Sequence, residues 1–205
     1  VKNIAIAASL TKLFRGGDLC PTFSARDLWV HSIATAAGSK LICDELKLGF
    51  PDEAFLAGLM HDIGIMVEMQ AMRKQLVELF EKLAIDGEGA PSADMVELER
   101  SIFGTDHQAL GARLCEAWKF PKSFGYVSGN HHDPLALPRE NQRLAAIVYI
   151  ADRLSAGAGL GFRGDLMSLD ADPAILDILN MSQEQLVAVR EGLPKVYEEV
   201  EATFL

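Results

Sequence analysis

The sequence predicts an all-α domain. Apolar residues recur at helical spacing along nearly the whole chain, capping residues and prolines punctuate it where helices would begin, and no stretch alternates as a half-buried strand does. With 205 residues and 49% apolar content, the chain is long enough to bury one substantial core.

The elements follow in order. Ile4, Ala7, Leu10 and Phe14 form an apolar helical stripe at the very start, and the chain begins at Val1 without a methionine, so it reads as a fragment of something longer. Ser24 caps a helix over 24–47, rich in Ala and Leu and free of proline. Pro51 opens a helix over 51–67, in the first turn where its missing N–H costs nothing. An amphipathic stretch covers 70–84, and DGEGAP (86–91) is a loop. Helices are expected over 93–102, from Thr105, after Pro121, and over 139–156. Thr105 with Gln108, and Ser182 with Gln185, match the reciprocal capping box. Gly157, Gly159, Gly161 and Gly164 mark a flexible connection, and helices over 173–179 and 183–202 end the chain.

Composition removes several function classes. A net charge of −10 opposes sequence-independent binding of nucleic acid, which needs a basic surface. No window approaches the roughly 18 uncharged apolar residues of a membrane span, and no signal peptide is evident, so a cytoplasmic protein is expected. Cys20, Cys43 and Cys115 are odd in number and far apart, as reduced thiols would be. The charge is uneven: 113–163 carries seven basic and four acidic residues, an asymmetry compatible either with a phosphorylated ligand or with a solvated mixed surface.

The informative segment is AFLAGLMHDIGIMV (54–67), apolar on every face, with His61 and Asp62 at its centre. A carboxylate in such surroundings must be paired, neutralised or bound to a metal. Asp152 ends the apolar run LAAIVYIAD (144–152) and meets the same constraint, with Arg153 as its simplest partner. His107 shares an inward face with Leu110, Gly111, Leu114 and Trp118, and its place in the first helical turn favours the neutral ring that metal binding requires. His131 and His132 stand at a helix end that Pro134 enforces. His31 lies one turn after Asp27, where a surface ion pair is the simple reading. Each residue alone has a structural explanation; five histidines in apolar or helix-end contexts, beside two aspartates that need a cation, point together to a metal. Imidazole with carboxylate suits Zn, Fe, Mn, Co or Ni, and the absence of thiolate ligands argues against a structural zinc site.

The series His31, His61-Asp62, His107, His131-His132 and Asp152 resembles, in order, the ligand series of binuclear members of the HD superfamily of metal-dependent phosphohydrolases. Within it, VKNIAI (1–6), LWVH (28–31), FLAGLMHDIG (55–64), DHQALG (106–111) and ADR (151–153) look most like the HDOD branch, a bacterial signalling module often attached to receiver or other regulatory domains. The resemblance implies an HD-superfamily helical bundle, with an HD-type core over 1–164 and C-terminal helices over 165–205 packed on the same domain. It also implies one or two divalent transition metal ions. His31, His61, Asp62 and Asp152 would form one site, and His107, His131 and His132 a second that shares Asp62. Asp27 would add a ligand or a hydrogen-bond acceptor behind one.

Two functions follow from the resemblance. One is a signal-transduction output domain with a retained metal centre, acting by binding other signalling domains, proteins or a small phosphorylated ligand, without nucleic acid or membrane. The other is a metal-dependent phosphohydrolase acting on phosphomonoesters or phosphodiesters through a metal-bound hydroxide, with Asp62 bridging the ions. Two departures favour the first. Catalytic members commonly carry a lysine where Ile65 stands, and HHDPLALP (131–138) lacks the Gly-Tyr-Pro extension of cyclic-di-GMP phosphodiesterases. An arginine, Arg143 or Arg153, is the available substitute for that lysine.

Overall fold

A computed structural model describes residues 18–203. The stripe from Ile4 to Phe14 lies outside the described residues. The chain runs through β1 (Asp18–Cys20), β2 (Phe23–Ser24), α1 (Ala25–Glu45), α2 (Pro51–Met60), α3 (Ile63–Ala71), α4 (Arg73–Leu83), α5 (Met95–Phe103), α6 (His107–Ala117), α7 (Lys122–Asn130), α8 (Gln142–Gly157), α9 (Pro173–Leu179) and α10 (Gln183–Glu201), with 3₁₀ turns at Pro134–Ala136 and Arg139–Asn141. The fold is helical, as expected, with one addition: β1 and β2 form a small antiparallel pair. Strands this short show no period from which to read them.

Ser24 caps α1 by accepting from the Asp27 amide, and Pro51 occupies the first turn of α2. The reciprocal capping box at Ser182 and Gln185 starts α10. At α6 the cap is Asp106, not Thr105; its carboxylate accepts from Ala109 N (2.7 Å) and from Arg100 Nε (2.8 Å), so an ion pair decides the helix start. The expected helix over 51–67 is two helices. It breaks at His61-Asp62, where Asp62 leaves helical geometry, and the Ser128 hydroxyl lies within hydrogen-bonding distance of two carbonyls at the break, Met60 O (3.0 Å) and His61 O (3.1 Å).

The long α1 is the spine, packing against α2, α8 and α10. One core gathers Leu28, Ile33, Leu59, Ile63, Ile65, Leu76, Leu79 and Leu83. A second joins Ala37 and Ile42 of α1 to Ile147 and Ile150 of α8, Leu176 and Leu179 of α9 and Leu193 of α10. Each of these buried leucines and isoleucines contributes about 1.5–3 kcal/mol. Close approach is built into the α1–α2 contact: a Cβ on Gly58 would stand 2.7 Å from Thr35 O. Among the described residues no helix is long and apolar enough to cross a membrane.

Candidate metal centre

The helices converge their polar residues on one buried point. His31 projects inward from the middle of α1, His61 and Asp62 from the α2–α3 break, His107 from the first residue of α6, His131 and His132 from the end of α7, and Asp152 from α8. The break explains the geometry at His61-Asp62, because adjacent side chains on a continuous helix would diverge.

Asp62 is at the centre. Its Oδ2 lies 3.2 Å from His61 Nε2 and 4.0 Å from His31 Nε2, while its Oδ1 lies 3.2 Å from His131 Nε2 and 4.0 Å from His107 Nε2. The two oxygens thus face two sets of histidines. Asp152 Oδ1 joins the first set, 3.0 Å from His31 Nε2, and His132 joins the second, its Nε2 3.0 Å from His107 Nε2.

Three rings are aimed by hydrogen bonds from their far nitrogens. His61 Nδ1 donates to Gly58 O (2.7 Å), His131 Nδ1 to Ser128 O (3.1 Å), and His107 Nδ1 to the Glu99 carboxylate (2.8 Å). In each case Nε2 is left for the centre, which is how metal-binding histidines are held. Yet His61 Nε2, His131 Nε2 and all four carboxylate oxygens of Asp62 and Asp152 are buried without a hydrogen-bond partner. Buried donors and acceptors of this chemistry, aimed at one another and unsatisfied, fit one or two divalent cations.

The electrostatics agree with the geometry. Burial alone would raise the Asp62 carboxyl, but His61 and His131 hold it well below its ordinary range; Asp152 is likewise lowered against burial by His31. Burial pulls His61 down, and the Asp62 charge overrides it to about 9. At His107 burial lowers the ring and the Glu99 carboxylate raises it to about 10, so the Glu99 charge works against the helix terminus, which favours the neutral ring. Burial lowers both His131 and His132. Because ligand nitrogens must shed their protons, metal uptake will release protons and tighten as pH rises.

Asp27 is corrected. Its carboxylate accepts from the Ser24 hydroxyl (2.7 Å) at the exposed start of α1, and His31 faces Asp152 instead. A helical turn separates Asp27 from His31 along the axis, and the cap holds the shorter side chain outward.

Residues missed by the sequence reading complete the picture. Glu99 accepts both the His107 backbone N–H (2.9 Å) and its Nδ1–H; the signal was present, since Glu99 stands four residues after Met95 on the inward face of α5. Glu68, fully buried on α3, is raised to about 9 by burial first and then by repulsion from Glu99. Asp165, in the loop after α8, is buried beside the centre and pushed up to about 7, by burial and then by Asp62 and Asp152. Replacing Glu99 with Gln keeps an acceptor but removes the charge that polarises His107. Metal affinity should fall by about 10- to 100-fold, read by competition with a chromophoric chelator.

The basic stretch does not assemble into one patch. Arg139 and Arg143 line a surface cleft with Glu140 and Asp177, and Arg163 donates to Glu88 O (3.4 Å). Arg153 is at the centre's edge, 3.7 Å from Asp152 Oδ2, but its guanidinium is stacked on the Tyr149 ring. Ile65, the position at which the resemblance to the superfamily implies a lysine in catalytic members, is wholly buried.

A helical bundle converging a histidine-aspartate cluster on its core defines an HD-type domain. The HDOD domain model matches residues 1–134, and the chain belongs to the HDOD family. The match contains six of the seven expected site residues; Asp152 lies beyond it. Among solved structures, an HDOD domain protein of unknown function from Geobacter sulfurreducens is similar over 94% of this chain and 67% of its own, at 24% identity and a TM-score of 0.75. A protein provisionally assigned to signal transduction from Marinobacter aquaeolei VT8 matches over 86% and 38% (19% identity, TM-score 0.72). A provisionally named phosphohydrolase from Shewanella amazonensis SB2B matches over 89% and 65% (20% identity, TM-score 0.67). At these identities the likeness is one of fold, and the chain spans only part of each protein. No curated protein matches the chain.

Proposed function

We propose that this chain is a signal-output domain working in the cytoplasm, in which His31, His61, Asp62, His107, His131, His132 and Asp152 hold one or two divalent transition metal ions that set the shape of the bundle, and that it acts by binding other signalling domains or proteins. The observation that carries this reading is the enclosure of the centre. The side chains of six of these residues are at most 1% exposed, and only His132 reaches solvent, at 14%. Catalytic metal sites keep a position open to substrate, whereas structural ones are closed by protein. The buried Ile65 adds support, since no lysine stands there to meet a phosphate. The signalling assignment of the Marinobacter protein is consistent with this reading.

A second reading, hydrolysis of a phosphate ester, is favoured by one observation: the donor set is complete, with a carboxylate whose two oxygens face two groups of imidazoles. Bound metal would supply Lewis-acid stabilisation of negative charge there.

Elemental analysis of protein purified without added metal, beside a His61→Ala, Asp62→Ala double variant, tests the proposal. About one or two equivalents in the wild type, lost in the variant, are expected. No metal and no capacity to be loaded would sink the metal centre. Turnover of a phosphomonoester or phosphodiester by the loaded wild type, absent in the double variant, would replace output by hydrolysis.

A further inference from the structure

Asp165 is the carboxylate that the expected ligand series omits. Its side chain is inaccessible to solvent, its two oxygens have no hydrogen-bond partner, and the nearest basic group is His132, whose Nε2 is 3.5 Å from Oδ2. It also lies among the donors of both sets: one of its oxygens groups within 4.8 Å with ligand atoms of Asp62 and His131, and likewise with those of His132 and Asp152. The neighbouring arginine cannot compensate it, since Arg163 turns away to Glu88 O. A buried carboxylate in this situation needs a cation.

The loop that carries Asp165 is docked, contrary to the flexible connection its glycines suggested. Gly161 adopts φ +81° against α1, where a Cβ would stand 2.6 Å from the His31 amide nitrogen. Phe162 N donates to Asp27 O (3.1 Å), and the Phe162 ring packs edge-on against Phe23 and Phe80. Leu166 is buried on the other side of Asp165. Packing therefore delivers the carboxylate to the centre while nothing but the centre receives it.

We propose that Asp165 is a further metal ligand, shared between the two sets of donors and supplied by the 158–172 loop, so that metal binding locks this loop, and the α9–α10 segment that follows it, onto the HD-type core. This rests on the reading of the cluster as a metal centre and deepens it: the chain itself fills the side of the centre that a substrate would need. Metal occupancy then becomes a signal that the C-terminal helices can transmit, because α9 and α10 pack on α1 and α8.

The test uses cobalt(II) as the probe, on wild type, Asp165→Asn, Asp165→Ala and the His61→Ala, Asp62→Ala double variant, each first stripped with chelator and checked for helicity by circular dichroism. In wild type, cobalt should slow amide exchange across 158–172. In Asp165→Asn, affinity should fall by about tenfold or more, the cobalt absorption bands should change with the loss of an oxygen ligand, and the loop protection should disappear. Asp165→Ala should behave alike, so that an amide ligand in the first variant cannot mask the effect. If wild type binds cobalt, the double variant does not, and both Asp165 variants match wild type in affinity, spectrum and loop exchange, the Asp165 assignment falls and the metal centre stands. If wild type takes up no cobalt, both fall together.

Discussion

Gly64→Ala is expected to destabilise the domain by at least about 3 kcal/mol, the upper range for overpacking a well-filled core, and to strip the centre of metal even where folding survives. Gly64 is on the first turns of α3, and α6 starts directly against it: a Cβ there would lie 2.6 Å from the His107 carbonyl carbon and 2.9 Å from its Cα. These are backbone atoms, so no rotamer change can relieve the clash. The helices must separate, and the element that separates carries His107, whose Nε2 is 3.0 Å from His132 and 4.0 Å from Asp62. One turn further along the same face of α6, Gly111 sets a Cβ position 3.4 Å from Gly64 N and only 3.0 Å from Ser128 Oγ, the group lying within hydrogen-bonding distance of the carbonyls at the α2–α3 break. The α3–α6–α7 contact is thus close-packed where the ligands meet. Thermal unfolding and metal analysis of the variant check both halves of the expectation. A variant with wild-type stability and metal content would mean that α6 is not held against α3 as described.

That contact also shows why the site was only partly legible in the sequence. His61 and Asp62 advertised themselves because a histidine and a carboxylate interrupt a run apolar on every face. His107 did so through the period of α6. The break between α2 and α3 carried no local signal: MHDIG has neither proline nor a left-handed glycine, and the turn is stabilised by Ser128, which is 67 residues away. Asp165 was invisible for a related reason. Its segment has no periodicity, and its burial comes from the docking of Gly161 and Phe162 on α1, a tertiary event. Glycines spaced along a chain look alike whether they permit motion or permit close approach. Glu99 and Glu68 were legible in principle, one on an inward helical stripe and the other within the apolar IGIMVEMQ segment (63–70). Neither glutamate is of a type and spacing that marks a metal ligand; Glu99 holds His107, which would bind the metal, and Glu68 stands behind Glu99.

Glu68→Gln is expected to stabilise the metal-free protein at pH 8 and to do nothing at pH 4.5. Glu68 is fully buried, its carboxylate oxygens have no hydrogen-bond partner, and burial followed by repulsion from Glu99 raises its carboxyl from 4.5 to about 9. The unfolded chain therefore gives up this proton above pH 4.5 while the folded chain keeps it until about pH 9. Over that window the unfolded state binds fewer protons, and stability falls as pH rises. Each pH unit costs at most about 1.4 kcal/mol. By pH 8 the penalty is on the order of 3 kcal/mol or more, allowing for relaxation around the charge. Glutamine carries no proton to lose and removes that slope. For a chain of this size the gain corresponds to a melting temperature higher by roughly 6–12 °C. His107 shifts in the same sense: raised to about 10, it contributes stability in full below about pH 6.5 that is lost as pH passes 10. The difference between wild type and Glu68→Gln, measured by thermal melts from pH 4.5 to 9 in the presence of chelator, isolates the Glu68 contribution. A lower melting temperature for the variant at pH 8 would show that Glu68 is ionised and paired in the folded state, and that the acid behind Glu99 supplies charge to the His107 side of the centre instead of merely filling space.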